Sequence, residues 1–424
     1  MKQTSLQGIA NKAAQDKTYR FRNLFGMLTA GSLFWCWDFL NRRASAGVDR
    51  LDAIAYEDNL IGNIQQLAQQ VKQGTYRAKL VLRKYIPKAG GKLRPLGIPA
   101  IADKLLQVAV AKVLEAIYEQ DFLPCSYGYR PGMGAHQAIK DLMGELKSGK
   151  YHVVVEADIK GFFNAINHNL LMDMLAKRID DKPFLKLIRK WLKAGILETD
   201  GQVIHPLMGT PQGGNASPIL ANIYLHYVLD EWFEETVRTY CTGQAYLCRY
   251  ADDFVCAFQH DKDARRVYKA LIQRLARFGL EVAADKTQII EFSHCKALAK
   301  TKFDFLGFEF RWIVGRSRKP ILMRRTSRNK LRASLANLKA WFQKHSGLPK
   351  KILFDKLNRK LLGYYNYYGV TGNSQSLNSF VYQVIGLLFK WLNRRSQRKS
   401  YKWEGFMELV KCFGIVKPRI LHAL

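Results

Sequence analysis

No C-x-x-C pair occurs anywhere in the 424 residues, and the seven cysteines (Cys36, Cys125, Cys241, Cys248, Cys256, Cys295 and Cys412) are odd in number and scattered. This argues against a disulfide framework and against a zinc module, and leaves buried, reduced thiols in a cytosolic protein. Long apolar runs are also missing. The most apolar early stretch, GMLTAGSLFWCWDFL at 26–40, contains Asp38, is too short to cross a bilayer and follows a basic rather than signal-like leader. It reads as a core helix, with no membrane partner and a cytoplasmic, bacterial-type setting. Internal repeats and low-complexity tracts are not evident. Acidic residues are scarce at one end: over 315–424 only Asp355, Glu404 and Glu408 stand against 24 lysines and arginines.

That last quarter of the chain therefore carries +21 of a formal net charge of +32. A charge so large repels itself in the compact state, and a polyanionic partner is the simplest reason to carry it. Nucleic acid fits better than an anionic membrane. A hydrophobic content of 48% and an aromatic content of 12% show a chain that folds, and its length suits two or three subdomains.

Periodicity divides the chain further. In DNLIGNIQQLAQQVKQG, Leu60, Ile64, Leu67 and Val71 recur at spacings of four, three and four, one face of a helix. LVLRKYIPKAGGKLRPLGIP (80–99) reads as two strands around AGG, a hairpin. YHVVVEADIKGFF (151–163) is a β-branched, buried strand that delivers Asp158 near its end. A helix follows the turn-rich GTPQGGNASP (209–218), and YLCRYADDFVCAF (246–258) gives two strands around a tight turn. LEVAADKTQIIEF and FDFLGFEFRW supply further strands. Beyond Gly315, three amphipathic helices with basic outer faces are expected, their apolar faces built on Leu331, Leu335, Leu338 and Trp341 or Phe342, on Leu357, Leu361, Tyr364 or Tyr365 and Tyr368, and on Leu377, Phe380 or Val381, Val384, Leu387 or Leu388 and Trp391.

The chemistry centres on Asp252 and Asp253. On a regular strand neighbouring side chains point to opposite faces, but at a hairpin turn two carboxylates can lie close together. Close carboxylates repel unless a cation or proton sits between them. Asp158 arrives at the end of another apolar strand. Three such acids would make an oxygen-rich, partly open site for Mg²⁺, which keeps water and substrate phosphates in its shell. Two ions could activate an attacking hydroxyl and stabilise leaving pyrophosphate. A lone acidic pair would more often be a solvated surface turn; the apolar flanks and the separate Asp158 strand weaken that alternative.

These residues resemble the blocks of reverse transcriptases. RYADDF is similar to their Y-x-D-D turn, EADIKGFFNAINHNLL (156–171) to the block of the first catalytic aspartate, and GTPQGGNASPILANIYL (209–225) to the P-Q-G block. LRPLGIPAIADKLLQ, CSYGYRPGMGAHQAI, LEVAADKT and FDFLGFEF match further blocks in order. QGGNASP with YADD, and the tail LLGYYNYYGVTGN, WLNRRSQR and PRIL, resemble the bacterial group II intron proteins, which are reverse transcriptases and splicing maturases. The resemblance runs from about residue 40 to 421.

It implies an α+β right-hand polymerase: an N-terminal helical extension (1–75), fingers (76–150), a palm with an antiparallel sheet (151–315) and a basic helical thumb or maturase domain (316–424). Asp158 and Asp252 would hold two Mg²⁺ ions, with Mn²⁺ as a substitute, helped by the Ile159 carbonyl, and Asp253 would complete the site. Lys88 and Arg94 would hold the incoming dNTP triphosphate. Phe163, or alternatively Phe162, would be the aromatic gate against a ribose 2′-hydroxyl. Gln212 would lie against the nucleotide sugar or the template. The partners implied are an RNA template, a DNA or RNA primer and structured group II intron RNA, gripped by basic helices bearing Tyr364, Tyr365, Tyr367, Tyr368 and Trp391. The clustered Cys and His of the family's C-terminal endonuclease are missing near Leu424, so no DNA-cleaving domain is expected. A non-catalytic maturase, a free-standing relative in host defence or DNA repair and, on the same palm, an RNA polymerase are the competing readings. The complete acid set argues against the first and Phe163 against the last.

Overall fold

The computed structural model describes residues 3–87, 93–295, 301–394 and 400–424. The chain folds as two compact units, one of 1–134, 157–256 and 262–288, the other of 135–156, 257–261 and 289–424. It is α+β, with helices around antiparallel-rich sheets.

In the first unit the early helices form as their apolar spacing dictates. Ile64, Leu67 and Val71 are buried on the helix Leu60–Lys72, and Leu33, Cys36 and Trp37 on the helix Ala30–Trp37. The core helix Ile101–Tyr118 is buried nearly all round. The expected hairpin is present: β1 (Val81–Pro87) pairs antiparallel with β2 (Leu93–Ile98), Ile86 opposite Arg94. Its tip, with Lys88, lies outside the described residues.

Strand β3 (Val153–Asp158) is followed by the short strands β4 (Ile196–Leu197) and β5 (Val203–Ile204), which join the hairpin in the order β2-β1-β4-β5. Strands β6 (Ala245–Tyr250), β7 (Asp253–Phe258) and β8 (Gln288–Glu291) form a second sheet with β3, in the order β6-β7-β3-β8. The alanines and valines of these strands are buried, as are Phe254 and Phe258, while Tyr246 and Tyr250 are half-buried. The helix opened by Ser217–Leu225 continues through wider π-type turns over His226–Asp230 and Trp232–Val237, a departure from regular α-helix that accompanies functional sites.

The second unit holds a sheet of β9 (Lys302–Phe305), β10 (Phe308–Val314) and β11 (Pro320–Thr326), in the order β11-β10-β9. The strand β11 was not legible in the sequence, where arginines mask the alternation of Leu322, Arg324 and Thr326, all buried. The three expected tail helices are Arg328–His345, Lys350–Tyr368 and Ser374–Leu392, and a fourth covers Trp403–Phe413. Leu338, Phe342, Leu357, Leu361, Leu377, Phe380 and Val384 are buried between them. The expected face on the third helix is buried at Leu377, Phe380, Val381, Val384 and Leu388, and only its last position differs, Leu392 being buried in place of the half-buried Trp391. No helix among the described residues is long and apolar enough to cross a membrane.

Candidate active site

The two-residue turn Ala251–Asp252 joins β6 to β7. Ala251 adopts φ 57°, the left-handed region that L-residues avoid at a cost on the order of 1 kcal/mol. Three things hold it there. The Arg249 guanidinium, fully buried, donates to the Ala251 carbonyl (3.1 Å), to Asn222 Oδ1 (3.2 Å) and to Ser126 Oγ (2.6 Å). Arg249 is itself paired with the fully buried Asp230 (Nε to Oδ1, 2.7 Å). Gly128 packs flat against the turn: a Cβ there would lie 2.5 Å from the Ala251 nitrogen. Burial works against the Arg249 charge, and the Asp230 carboxylate more than offsets it, raising the guanidinium above its ordinary range. Neither Arg249 nor Asp230 was singled out from the sequence. A signal was there, since Arg249 is a lone charge in the apolar run YLCRY and Asp230 follows the apolar YVL, and a fully buried charge requires a partner.

Asp252 sits half-buried on this turn. Burial pushes its carboxyl above the usual carboxylate range, and the nearby Asp158 charge adds to the rise, opposed by Arg94 and Lys286. Asp158 ends β3, and its carbonyl accepts from Ala283 N–H (2.8 Å). Its carboxylate is ion-paired with Lys286, whose ammonium is raised above its usual range chiefly by that hydrogen bond. Ile159 faces Val282 in an antiparallel bridge made by Ala283 N–H and by Lys160 N–H to Glu281 O (2.9 Å), so the Ile159 carbonyl takes no part in it. The structure thus places Asp158 near enough for its charge to act on Asp252. Asp253, half-buried, opens β7 on the next position, and among the described residues no group of three or more His, Cys, Asp or Glu side chains is close enough to hold an ion. Asp158 and Asp252 offer hard oxygen donors without nitrogen or sulfur, which suits Mg²⁺ better than zinc or copper.

The remaining expected residues gather around this pair. Arg94, exposed on β2, is near enough to act on the charges of Asp252 and of the Tyr129 hydroxyl. Phe162 is buried against Tyr224 (ring centroids 6.4 Å), whereas Phe163 is half-buried and meets the exposed Tyr129 edge-on (6.4 Å). Gln212 lies in a loop tied on both sides. Its carbonyl accepts from Gly97 N–H of β2 (2.7 Å), and Thr210 N–H donates to the Phe163 carbonyl (2.7 Å). Gly213 (φ 123°) lets the loop approach β2, since a Cβ there would lie 2.6 Å from the Gly97 oxygen. The loop therefore couples the strand bearing Arg94 to the segment bearing Phe163.

A hairpin carrying Arg94, the neighbouring acids Asp158 and Asp252, and a glycine loop that ties this hairpin to the Phe163 segment make up the kind of site a nucleic-acid polymerase uses. Residues 86–310 match the model of the reverse transcriptase (RNA-dependent DNA polymerase) family, and residues 331–407 match the group II intron maturase-specific domain. The chain belongs to the reverse transcriptases of the group II intron type, a family that works with divalent metal ions, and its domains are those of template RNA and intron RNA binding. It is similar to Protein YkfC of Escherichia coli (34% identity, covering 58% of this chain and 73% of that protein) and to the group II intron-encoded protein LtrA of Lactococcus lactis (31%, 75% and 65%). An uncharacterized 91 kDa protein in the cob intron of Schizosaccharomyces pombe is 41% identical over 44% of this chain and 22% of its own length.

Proposed function

We propose that the chain copies RNA into DNA by nucleotidyl transfer from dNTPs to a primer 3′-hydroxyl. The observation that carries this reading is the nearness of Asp158, at the end of β3, to Asp252, on the β6–β7 turn, within reach of the Arg94 charge. These two carboxylates, with Asp253 beside them and the Ile159 carbonyl, would hold Mg²⁺, two ions in the full site, which when bound polarises the reacting phosphate and the attacking hydroxyl. Arg94 binds the triphosphate as a bidentate donor, and Lys88, which follows β1 in the sequence, is the second cation expected to act with it. Lys286, already on Asp158, brings a further positive charge to the phosphates. Phe163 and Gln212 set the sugar between them. The test is extension of oligo(dT) on poly(rA) with dTTP and Mg²⁺. Absence of extension by the purified protein would sink the reading.

Phe163 excludes the ribose 2′-hydroxyl by volume, since an apolar ring cannot hydrogen-bond it. Phe163→Ala is expected to lower the preference for dTTP over UTP by roughly ten- to a hundredfold, measured as the ratio of kcat/KM values. An unchanged ratio would remove Phe163 from the gate, whereas Phe162→Ala is expected to destabilise the core instead.

The basic tail helices grip the template–primer duplex and structured intron RNA, as the maturase-specific match favours. RNA affinity is expected to fall by at least about a hundredfold between 50 and 200 mM salt, the consequence of neutralising roughly four or more phosphates. A flat dependence in a titration series would remove the electrostatic grip. Splicing of a group II intron RNA at low Mg²⁺, with and without the protein, tests the maturase activity separately.

A further inference from the structure

Two cavities lie along the helix Arg328–His345 in the second unit, one chiefly against the helix Lys350–Tyr368 and the other against Ser374–Leu392 and β11. One, about 360 Å³, is lined by Tyr364, Tyr367 and Phe380, with Lys360 and Asn337 at its edge. The other, about 250 Å³, is lined by Arg328, Gln375, Ser376 and Ser379. The neighbours Ser379 and Phe380 each line one of them. Leu331 and Ser334, one helical turn apart, do the same on the facing helix.

The chemistry of the two differs in a way that fits one ligand. The half-buried Tyr364 ring is backed by the buried Phe380, with which it stacks (centroids 3.7 Å), and the Lys360 ammonium stands 5.3 Å from the Trp341 ring. The second cavity offers a guanidinium, hydroxyls and an amide, donors for a phosphate. Arg325 there is already neutralised by Glu309 (2.7 Å), which leaves Arg328 as the cation of the cavity. Gly363 lies on the wall of the first cavity, inside the helix Lys350–Tyr368. A Cβ at Gly363 would meet nothing within 4 Å. Neither its backbone nor a close neighbour requires glycine, and glycine weakens a helix interior. What it does is keep the cavity open.

We infer that this pair of cavities holds one unpaired nucleotide of a bound RNA, the base beside Tyr364 and Phe380 and its phosphate at Arg328. Aromatic rings take a splayed-out base of any sequence, and the neighbouring cation takes its backbone. The inference rests on the RNA-binding reading of this unit and adds a feature to it: the protein favours a bulged RNA over a continuous helix.

Fluorescence anisotropy with two labelled RNA duplexes, identical except for one bulged purine, tests it on the full chain. The parent is expected to bind the bulged RNA on the order of tenfold more tightly, the effect of stacking one base on an aromatic wall. Gly363→Leu fills the cavity while improving the helix, so it should melt no lower than the parent and bind both duplexes alike. Equal affinities in the parent, or a preference that survives in a folded Gly363→Leu variant, overturn the site. If the parent binds neither duplex, the RNA-binding reading itself fails.

Discussion

Asp252→Asn is expected to abolish primer extension, by about a thousandfold or more, while making the metal-free protein more stable. The loss follows because the carboxylate would hold the ion that stabilises charge in the transition state, worth several kcal/mol at tenfold per 1.36 kcal/mol. The gain follows from linkage. Asp252 titrates above its ordinary value in the folded chain, because burial and the Asp158 charge disfavour the anion. Between the unfolded and folded values the native state holds more protons, so stability falls as pH rises through that window. At neutral pH the charged side chain therefore costs stability, and asparagine removes the charge. Denaturation with chelator present, at neutral and at acid pH, measures this. The advantage of asparagine is expected at neutral pH and is expected to vanish below the unfolded value. Wild-type extension by the variant would remove Asp252 from the chemistry, and an Asn variant less stable at neutral pH would contradict the electrostatic account of the turn.

Asp230→Ala carries the second large effect. It strips the partner from a fully buried guanidinium, a loss of about 3–5 kcal/mol when a buried pair is broken on one side. Replacing both partners with apolar residues of similar size, Arg249→Met with Asp230→Leu, is expected to recover most of that stability, because two desolvated charges are removed together. Extension is still expected to fall, because Ala251, Asn222 and Ser126 lose the donor that sets the turn. Denaturant midpoints and primer extension on the single and double variants separate the two roles. A stable double variant with full activity would show that Arg249 supports the fold alone.

Much of this was legible in the sequence because the site is built on strands. The runs VVVEAD and CRYADDF announce themselves as buried β-structure interrupted by charge, and placing Asp158 at a strand end and Asp252 on a turn requires only that pattern. The tail helices were legible for the same reason, their leucines falling at helical spacing. What escaped was long-range pairing. Lys286 stands in AADKT among ordinary polar residues, and nothing local says that it reaches Asp158, 128 positions earlier. Gly128 looks like any glycine in CSYGYR until the turn it touches is in place. The choice between Phe162 and Phe163 was open for a related reason: two adjacent rings after a glycine differ only in which one the core takes, and the Tyr224 contact of Phe162 comes from a distant helix.

The ion pair between Lys286 and Asp158 has a consequence for how the protein waits for its substrates. The site works like an ion exchanger that carries its own counter-ion on a tether. With Lys286 in place, the carboxylate charge of Asp158 is balanced without any free ion. If Asp158 holds a divalent cation as proposed, its entry would be an exchange rather than a simple addition, because the Asp158 carboxylate would have to give up the Lys286 ammonium. A bound triphosphate would offer that ammonium a new anion, in competition with the neighbouring Asp285 and Asp252 charges. Metal and nucleotide occupancy would then be linked through a single four-carbon side chain.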